Sequence, residues 1–320
     1  MAVSTVRIAV DLLGGDHGPA VVVDGALQAC RADPGMQLLL VGPASVADGF
    51  LRALDPDLRE RVGARTGPAT AAPALGSGRG LDTTVRAAVR AVADGSADAV
   101  LSAGPTGATV SAAALGLGRW PGVRRPVLAA TVPTAAGLAV LLDVGASVDA
   151  TPATLAGHAI LGAAYASVAL GERPRVGLLS IGHETGKGDR VRRATDPLLH
   201  ELALPAGARY AGLVEGDDVV AGDRADVVVT DGFTGNVLLK GLEAAFDLTG
   251  ARPAGAPPRA AALLGVAGVA VVCHGAAARA HIASGLALAA HLHRTASVAT
   301  LTDLITAPGI EMPDNSRGDA

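Results

Sequence analysis

Six stretches of this 320-residue chain set polar side chains among glycines directly after a short apolar run. They are Gly14-Gly15-Asp16-His17, Ser102-Ala103-Gly104-Pro105-Thr106-Gly107, Asp143-Val144-Gly145, Gly182-His183-Glu184-Thr185-Gly186-Lys187-Gly188-Asp189, Asp231-Gly232-Phe233-Thr234-Gly235-Asn236 and His274-Gly275. Glycine loops that open a helix offer backbone N–H groups and a partial positive charge, which suits phosphate or an oxyanion. The Ser102–Gly107 stretch adds a hydroxyl at either flank, although a plain strand-to-helix turn explains it equally well. Lys187 can hold phosphate as a point charge, and the competing reading is a solvated pair with Glu184. Asp231 and Asn236 either orient a ligand or cap the helix that follows them. His274, directly after VAVVC, is the best placed of the eight histidines, with His17 second. His281, His291 and His293 follow one another along a helix and read as surface residues.

Several chemistries find no support. No Ser or Thr follows Lys187, so there is no Walker A loop, and Gly76-Ser77-Gly78-Arg79-Gly80 lacks the preceding strand of a dinucleotide fingerprint. HExxH and GxSxG are both missing, and no carboxylate cluster suggests a metal. Neither a metal nor an organic cofactor is expected. Cys30 and Cys273 lie in apolar stretches and read as buried thiols, in keeping with a reducing, cytosolic setting. A net charge of −4 and only 2% aromatic residues argue against a nucleic-acid platform. No apolar run is long enough to span a membrane.

The elements that position these loops follow from periodicity. Continuous Val/Leu/Ala runs such as DAVLS, LAVLLD, VGLLS and DVVVT are strands covered on both faces. Each precedes a glycine-bearing loop and an amphipathic helix, which predicts βαβ units and a mainly parallel sheet. VLAATV and LAVLLDV are joined only by residues 133–137, too few for a crossover, so that pair is expected to be an antiparallel hairpin. The fold expected is α/β, a three-layer αβα sandwich with a mixed sheet whose loops gather at one edge, where such sheets bind ligands. One domain over residues 1–310, with two lobes about a cleft as the variant, precedes a polar tail at 311–320. Asp82 is the expected N-cap of the helix after it. Residues 63–80 and 250–258 read as loops.

Taken in order, VDLLGGDHGP, LSAGPTGA, RRPVLAATVPT, LLDVGASVD, VGLLSIGHETGKGD, VEGDDV, DVVVTDGFTGNVLLK and LLGVAGVAVVCHG resemble the PlsX family of acyl-(acyl carrier protein):phosphate acyltransferases. The resemblance covers roughly residues 6–300. It implies a fold similar to phosphotransacetylases and isocitrate-type dehydrogenases, and a homodimer. It also implies formation of acyl phosphate from an acyl thioester and inorganic phosphate for phospholipid synthesis. On this basis Lys187, His274, Asn236 and Asp231 are the expected catalytic residues. Gly14, Gly15, Asp16, His17, Ser102, Gly104, Thr106, Gly107, Asp143 and Glu184 are expected to bind substrate, with Gly14 and Gly15 clearing space for it. Acyl carrier protein or acyl-CoA is the expected acyl donor. A membrane glycerol-3-phosphate acyltransferase is the implied consumer, reached from the cytosol or from the membrane periphery.

The chain departs from the family pattern in several places. Pro105, expected at the first helical position, stands where the family has Asn. His183-Glu184-Thr185 replaces a run of acids, and Ala276 and Ala277 replace serines. The basic segment before Asp82 shrinks to Arg79, and the helical insertion after Lys240 is short. A phosphotransacetylase-like use of short acyl-CoA and a non-catalytic thioester-binding protein are the competing readings.

Overall fold

A computed structural model describes residues 4–71, 82–171, 173–251 and 256–313. Most of the glycine-rich loop expected to end at residue 80, including Gly76–Gly80, lies outside them, as do residues 252–255 and the tail from 314 onward.

The chain begins β1 (Val6–Asp11), α1 (Pro19–Ala32), β2 (Met36–Gly42), α2 (Ala44–Arg52), α3 (Pro56–Arg59) and β3 (Val62–Thr66). It continues through α4 (Thr84–Ala93), β4 (Ala99–Ser102), α5 (Thr106–Gly116), β5 (Val127–Thr134) and β6 (Gly137–Leu142). There follow α6 (Pro152–Ala169), β7 (Arg175–Leu179), α7 (Arg190–Glu201), β8 (Arg209–Val214), α8 (Gly216–Ala221) and β9 (Val227–Val229). The last elements are α9 (Gly232–Thr249), β10 (Ala260–Leu264), β11 (Val269–Cys273), α10 (Arg279–Thr295) and α11 (Val298–Ile305).

These elements form two compact units, residues 1–119 with 258–298, and residues 120–257 with 299–320. In the first unit the strand order is β3-β2-β1-β4-β11-β10, parallel except for the β10–β11 hairpin. Every residue of β4 and β11 is buried, because α1 packs with α10 and α4 with α5 over the strands. Small side chains permit this close approach. A Cβ on Gly25 of α1 would fall 2.5 Å from the Arg279 carbonyl of α10, and Gly25 is where the two helices meet.

The second unit orders its strands β5-β6-β9-β7-β8. The expected hairpin is there: β5 and β6 are antiparallel, with Thr134 opposite Gly137. The other pairings are parallel. Each unit is thus α/β with a mixed, mainly parallel arrangement. In each, the loops that follow the parallel strands collect at one edge.

Three details differ from the sequence expectation, and a fourth was not specified by it. Residues 63–66, expected as loop, complete β3, a mostly exposed strand beside β2 whose GART sequence carries no apolar run. The apolar run from 260 to 273, too short for a membrane span and rich in strand formers, folds back on itself as the β10–β11 hairpin, turning between Gly265 and Gly268. Thr83, not Asp82, caps α4 by accepting from the Arg86 amide at 3.4 Å, while Asp82 pairs with Arg90 at 2.7 Å. Pro105 is the N-cap of α5, one position before the expected one.

Candidate functional site

In the first unit, the ends of β1 and β4 are tied by a buried carboxylate. Ser102 Oγ donates to Asp11 Oδ2 at 2.7 Å and accepts from the Gly104 amide at 3.0 Å. The Leu13 amide donates to Asp11 Oδ1 at 3.3 Å. Burial pushes the Asp11 carboxyl above its ordinary value, and the Thr84 and Ser102 hydroxyls and the Leu13 amide pull it back. Both Asp11 and Ser102 are buried. This corrects the expectation for Ser102 and Gly104: the hydroxyl and the amide meant for an anion are spent on each other and on Asp11. Gly14 is corrected likewise. A Cβ there would fall 2.8 Å from both Asp11 Oδ2 and the Gly104 nitrogen, so this glycine makes room for the neighbouring loop. Gly15 is close-packed too, its Cβ position lying 3.2 Å from Val22 Cγ2.

What stays at the surface is the first turn of α5, where backbone amides have no intrahelical acceptor. Thr106 is half-buried and Gly107 exposed, and nothing lies within 4 Å of a Cβ built on Gly107. As N-cap, Pro105 supplies no side-chain acceptor to that turn; its carbonyl takes the Ala108 amide at 3.0 Å, and the Thr106 and Gly107 amides are left for a ligand or water. The 274–278 loop after β11 adjoins the first glycine loop: the Asp16 amide donates to the Gly275 carbonyl at 2.8 Å. A Cβ on Gly275 would fall 2.6 Å from Asp16 Oδ2. Asp16 and His17 are exposed and His274 is half-buried.

The second unit builds its loops around two acids. Asp143, at the end of β6, is wholly buried. Its Oδ1 accepts from the amides of Leu128, Gly145 and Ala146, and its Oδ2 from Ser147 at 2.6 Å. Burial raises its pKa against the pull of those four donors. Asp143 is therefore the organiser of its loop and not a substrate-contacting residue, since no atom of it reaches the surface. Asn236 anchors the same loop, donating Nδ2 to the Val144 carbonyl at 3.0 Å. Gly232 and Gly235 allow α9 to rest on it. A Cβ on Gly232 would lie 2.7 Å from the Ser147 carbonyl, and one on Gly235 would overlap the Asp143 carbonyl.

Asp231 is the N-cap of α9, accepting from the Thr234 amide at 2.9 Å and the Thr234 hydroxyl at 2.8 Å. Its other partner is Arg192, which the sequence reading passed over. Arg192 is nine-tenths buried. Its guanidinium pairs with Asp231, donates to Thr230 Oγ1 at 2.9 Å and to Asp189 Oδ2 at 2.8 Å, and reaches the Leu179 carbonyl at 3.2 Å. Burial pushes Asp231 up, but the Thr234 and Arg192 donors outweigh it and hold the carboxylate below its ordinary pKa. The one sequence signal was the i, i+3 spacing of Asp189 and Arg192 at the start of α7.

Lys187 and Glu184 lie together on the exposed loop after β7, Nζ 4.0 Å from Oε2. A Cβ on Gly182 would meet both side chains, at 2.8 Å and 2.9 Å. His183 turns to the other side, its Nε2 2.6 Å from Asp218 Oδ2 at the start of α8. Among the described residues no group of three or more His, Cys, Asp or Glu could hold a metal ion. No described helix is long and apolar enough to cross a membrane.

Loops after successive parallel strands, with helix N-termini and one exposed lysine among them, define an α/β protein suited to oxyanion chemistry. Residues 6–251 match the family described as "Fatty acid synthesis protein", and the chain belongs to this family, the PlsX family. The phosphate acyltransferase of Syntrophomonas wolfei is 38% identical over 88% of this chain and 93% of its own. That of Thermobifida fusca is 40% identical over 93% and 89%. Among solved structures, the EutD phosphotransacetylase from Staphylococcus aureus superposes with a TM-score of 0.61 at 19% identity, over 90% of this chain and 95% of its own. At that identity the likeness is one of fold.

Proposed function

We infer that the protein is a phosphate acyltransferase: it moves the acyl group of a thioester onto inorganic phosphate. A phosphate oxygen attacks the thioester carbonyl carbon, the C–S bond breaks, and acyl phosphate and a free thiol result. The observation that carries this reading is the identity to relatives named phosphate acyltransferase along almost the whole chain. The chemistry suits the loops. Phosphate is its own nucleophile and a thiolate leaves readily, so positioning and stabilisation of the carbonyl oxygen are what the protein supplies.

We assign anion holding to Lys187 in the second unit and, in the first, to the Thr106 hydroxyl and the Gly107 amide. His274 and His17 are the side chains placed to meet the thioester. Asp231 and Asn236 act as positioning residues, through Arg192 and through the Asp143 loop. Acyl carrier protein is the proposed donor, with phospholipid synthesis as the use of the product. A homodimer, a cytosolic enzyme touching the membrane edge and a membrane glycerol-3-phosphate acyltransferase as consumer complete the proposal. Phe233, Val237 and Leu248, exposed along α9, offer apolar surface for such contacts.

The test is thiol release from acyl-(acyl carrier protein) and from acyl-CoA, with and without phosphate, and with hydroxylamine trapping of acyl phosphate. Phosphate-dependent release that yields a trapped acyl group is expected, faster with the carrier protein. Release that ignores phosphate, or thioester binding without turnover, refutes the reading; preference for acyl-CoA moves it to the phosphotransacetylase alternative.

A further inference from the structure

One buried titratable group in the second unit is used by nothing described so far. His158, on the second turn of α6, is 1% exposed, and neither of its ring nitrogens has a hydrogen-bond partner. The Thr230 main chain exerts a pull on it without coming into hydrogen-bond geometry. A buried polar group without a partner is costly, and a leucine would fill the position without that cost. The ring lines a hollow whose other walls are the Arg124–Arg125 turn, the first turn of α6 at Ala153 and Thr154, and Met312. The guanidinium of Arg125 spends one donor on the Asp149 carbonyl at 3.3 Å, out of five that such a group carries.

The hollow encloses about 20 Å³, room for a single water, and Met312 is what keeps it small. A Cβ on Gly122 would fall 2.9 Å from Met312 Cγ, and one on Gly157 3.4 Å from Met312 Cε. The two glycines form a groove that this side chain fills. Methionine is unbranched and flexible, so it swings aside at low cost. Burial and the charge of Arg125 push the His158 pKa down to about 4, so the ring is neutral at pH 7 and presents one N–H donor. The Arg125 fork and a buried N–H line one space, the first turn of α6 beside them is capped by Thr151, and the walls bring no carboxylate.

We propose that this hollow is a second oxyanion site, distinct from the Lys187 loop, which takes a small phosphate- or carboxylate-type anion when Met312 swings out. The anion accepts from the His158 N–H and pairs with the Arg125 guanidinium. Planar guanidinium forks match both carboxylate and phosphate oxygens, so the two chemistries share the site. Met312 is its cover, three residues after α11 and the following turn return the chain to the second unit.

The experiment uses the full chain carrying Lys187→Ala, which silences the first anion loop, titrated with inorganic phosphate, sulfate and acetate. Histidine ring NMR and the fluorescence of Trp120, the only tryptophan and two residues before Gly122, follow binding. At least one anion is expected to shift the buried His158 resonance and the Trp120 signal in parallel and to raise the His158 pKa from about 4. Phosphate and sulfate acting together identify a tetrahedral anion, acetate alone a carboxylate. Arg125→Gln, at an exposed position that does not endanger folding, weakens the effect about tenfold or more, and Met312→Ala strengthens it several-fold. No response to any of the three anions, or a response unchanged by Arg125→Gln, overturns the proposal. Neither result touches the acyl-transfer reading, which is measured by turnover of the unsubstituted protein.

Discussion

Replacement of Arg192 by methionine tests how the second unit holds its loops. The Arg192 and Asp231 side chains are only 11% and 12% exposed, which puts the pair in the buried regime. There, removal of one partner costs about 3–5 kcal/mol, far more than the 0–1 of a surface bridge. Asp231 keeps the Thr234 amide and hydroxyl after the change, so the expected loss lies near the lower end, about 3 kcal/mol at pH 7. Arg192→Met/Asp231→Asn should recover about 1–2 kcal/mol of it, since the Asn oxygen still caps α9 and no unpaired charge is left.

Urea unfolding followed by Trp120 fluorescence reads the second unit directly, because the indole is buried within it. The pH dependence has a definite sign. Asp231 is held below its ordinary 3.8, so its contribution is present above that value and is lost as pH falls through the lower folded-state pKa. In Arg192→Met the pKa moves back up, and the gap between wild type and variant should narrow at pH 3. A loss under about 1 kcal/mol at pH 7, a gap equal at both pH values, or a double variant no better than the single one refutes the reasoning.

In the first unit, Ser102→Ala removes the donor to Asp11 and the acceptor for the Gly104 amide. It should cost about 1–3 kcal/mol in chemical denaturation and lower kcat more than it raises the KM for phosphate; a rise in KM alone would return Ser102 to direct phosphate contact. Gly235→Ala places a methyl on the Asp143 carbonyl, and the soluble yield or Tm should drop sharply while Gly107→Ala, facing open space, leaves Tm unchanged. Lys187→Ala should abolish most phosphate-dependent turnover and leave urea stability within about 0.5 kcal/mol, because its exposed pair with Glu184 at 4.0 Å is worth little. Burial pushes the Cys30 thiol up and the Cys273 thiol up to about 12, so neither should react with a disulfide reagent at pH 8 before unfolding.

The scaffold was legible because its signals are local. Continuous apolar runs marked β4, β6, β7, β9 and β11, and a five-residue link was too short for anything but the β5–β6 hairpin. β3 was illegible because an exposed edge strand of sequence VGART needs no apolar face. Within the candidate site, residue type marked the polar glycine loops and gave no guide to which atoms face outward. Asp143, Ser102 and Gly104 look like ligand-binding residues in sequence because the same chemistry, acceptors beside backbone amides, also fixes a loop onto its neighbour. Arg192 shows the converse. Its partners Asp231 and Thr230 lie 39 and 38 residues away, a separation no local pattern encodes.

Glycines carry the same lesson further. Gly14 reads in the sequence as clearance for a ligand, yet a side chain there, as on Gly232 or Gly235, would strike another loop. The clearance serves packing of one loop on the next, and a rigid lattice of buried acids and amides follows from it. Catalysis by positioning requires such rigidity, because a loop that shifts by an ångström loses much of the rate. An enzyme whose nucleophile is supplied by phosphate itself has few side chains to spare for chemistry. Under the proposed assignment each unit brings its own working surface, Lys187 in the second and the open first turn of α5 at Thr106 and Gly107 with His274 in the first. The buried Asp11, Asp143 and Asp231 keep it still, and substitutions in the two groups should separate in kind: the first lowers turnover at constant stability, the second lowers both.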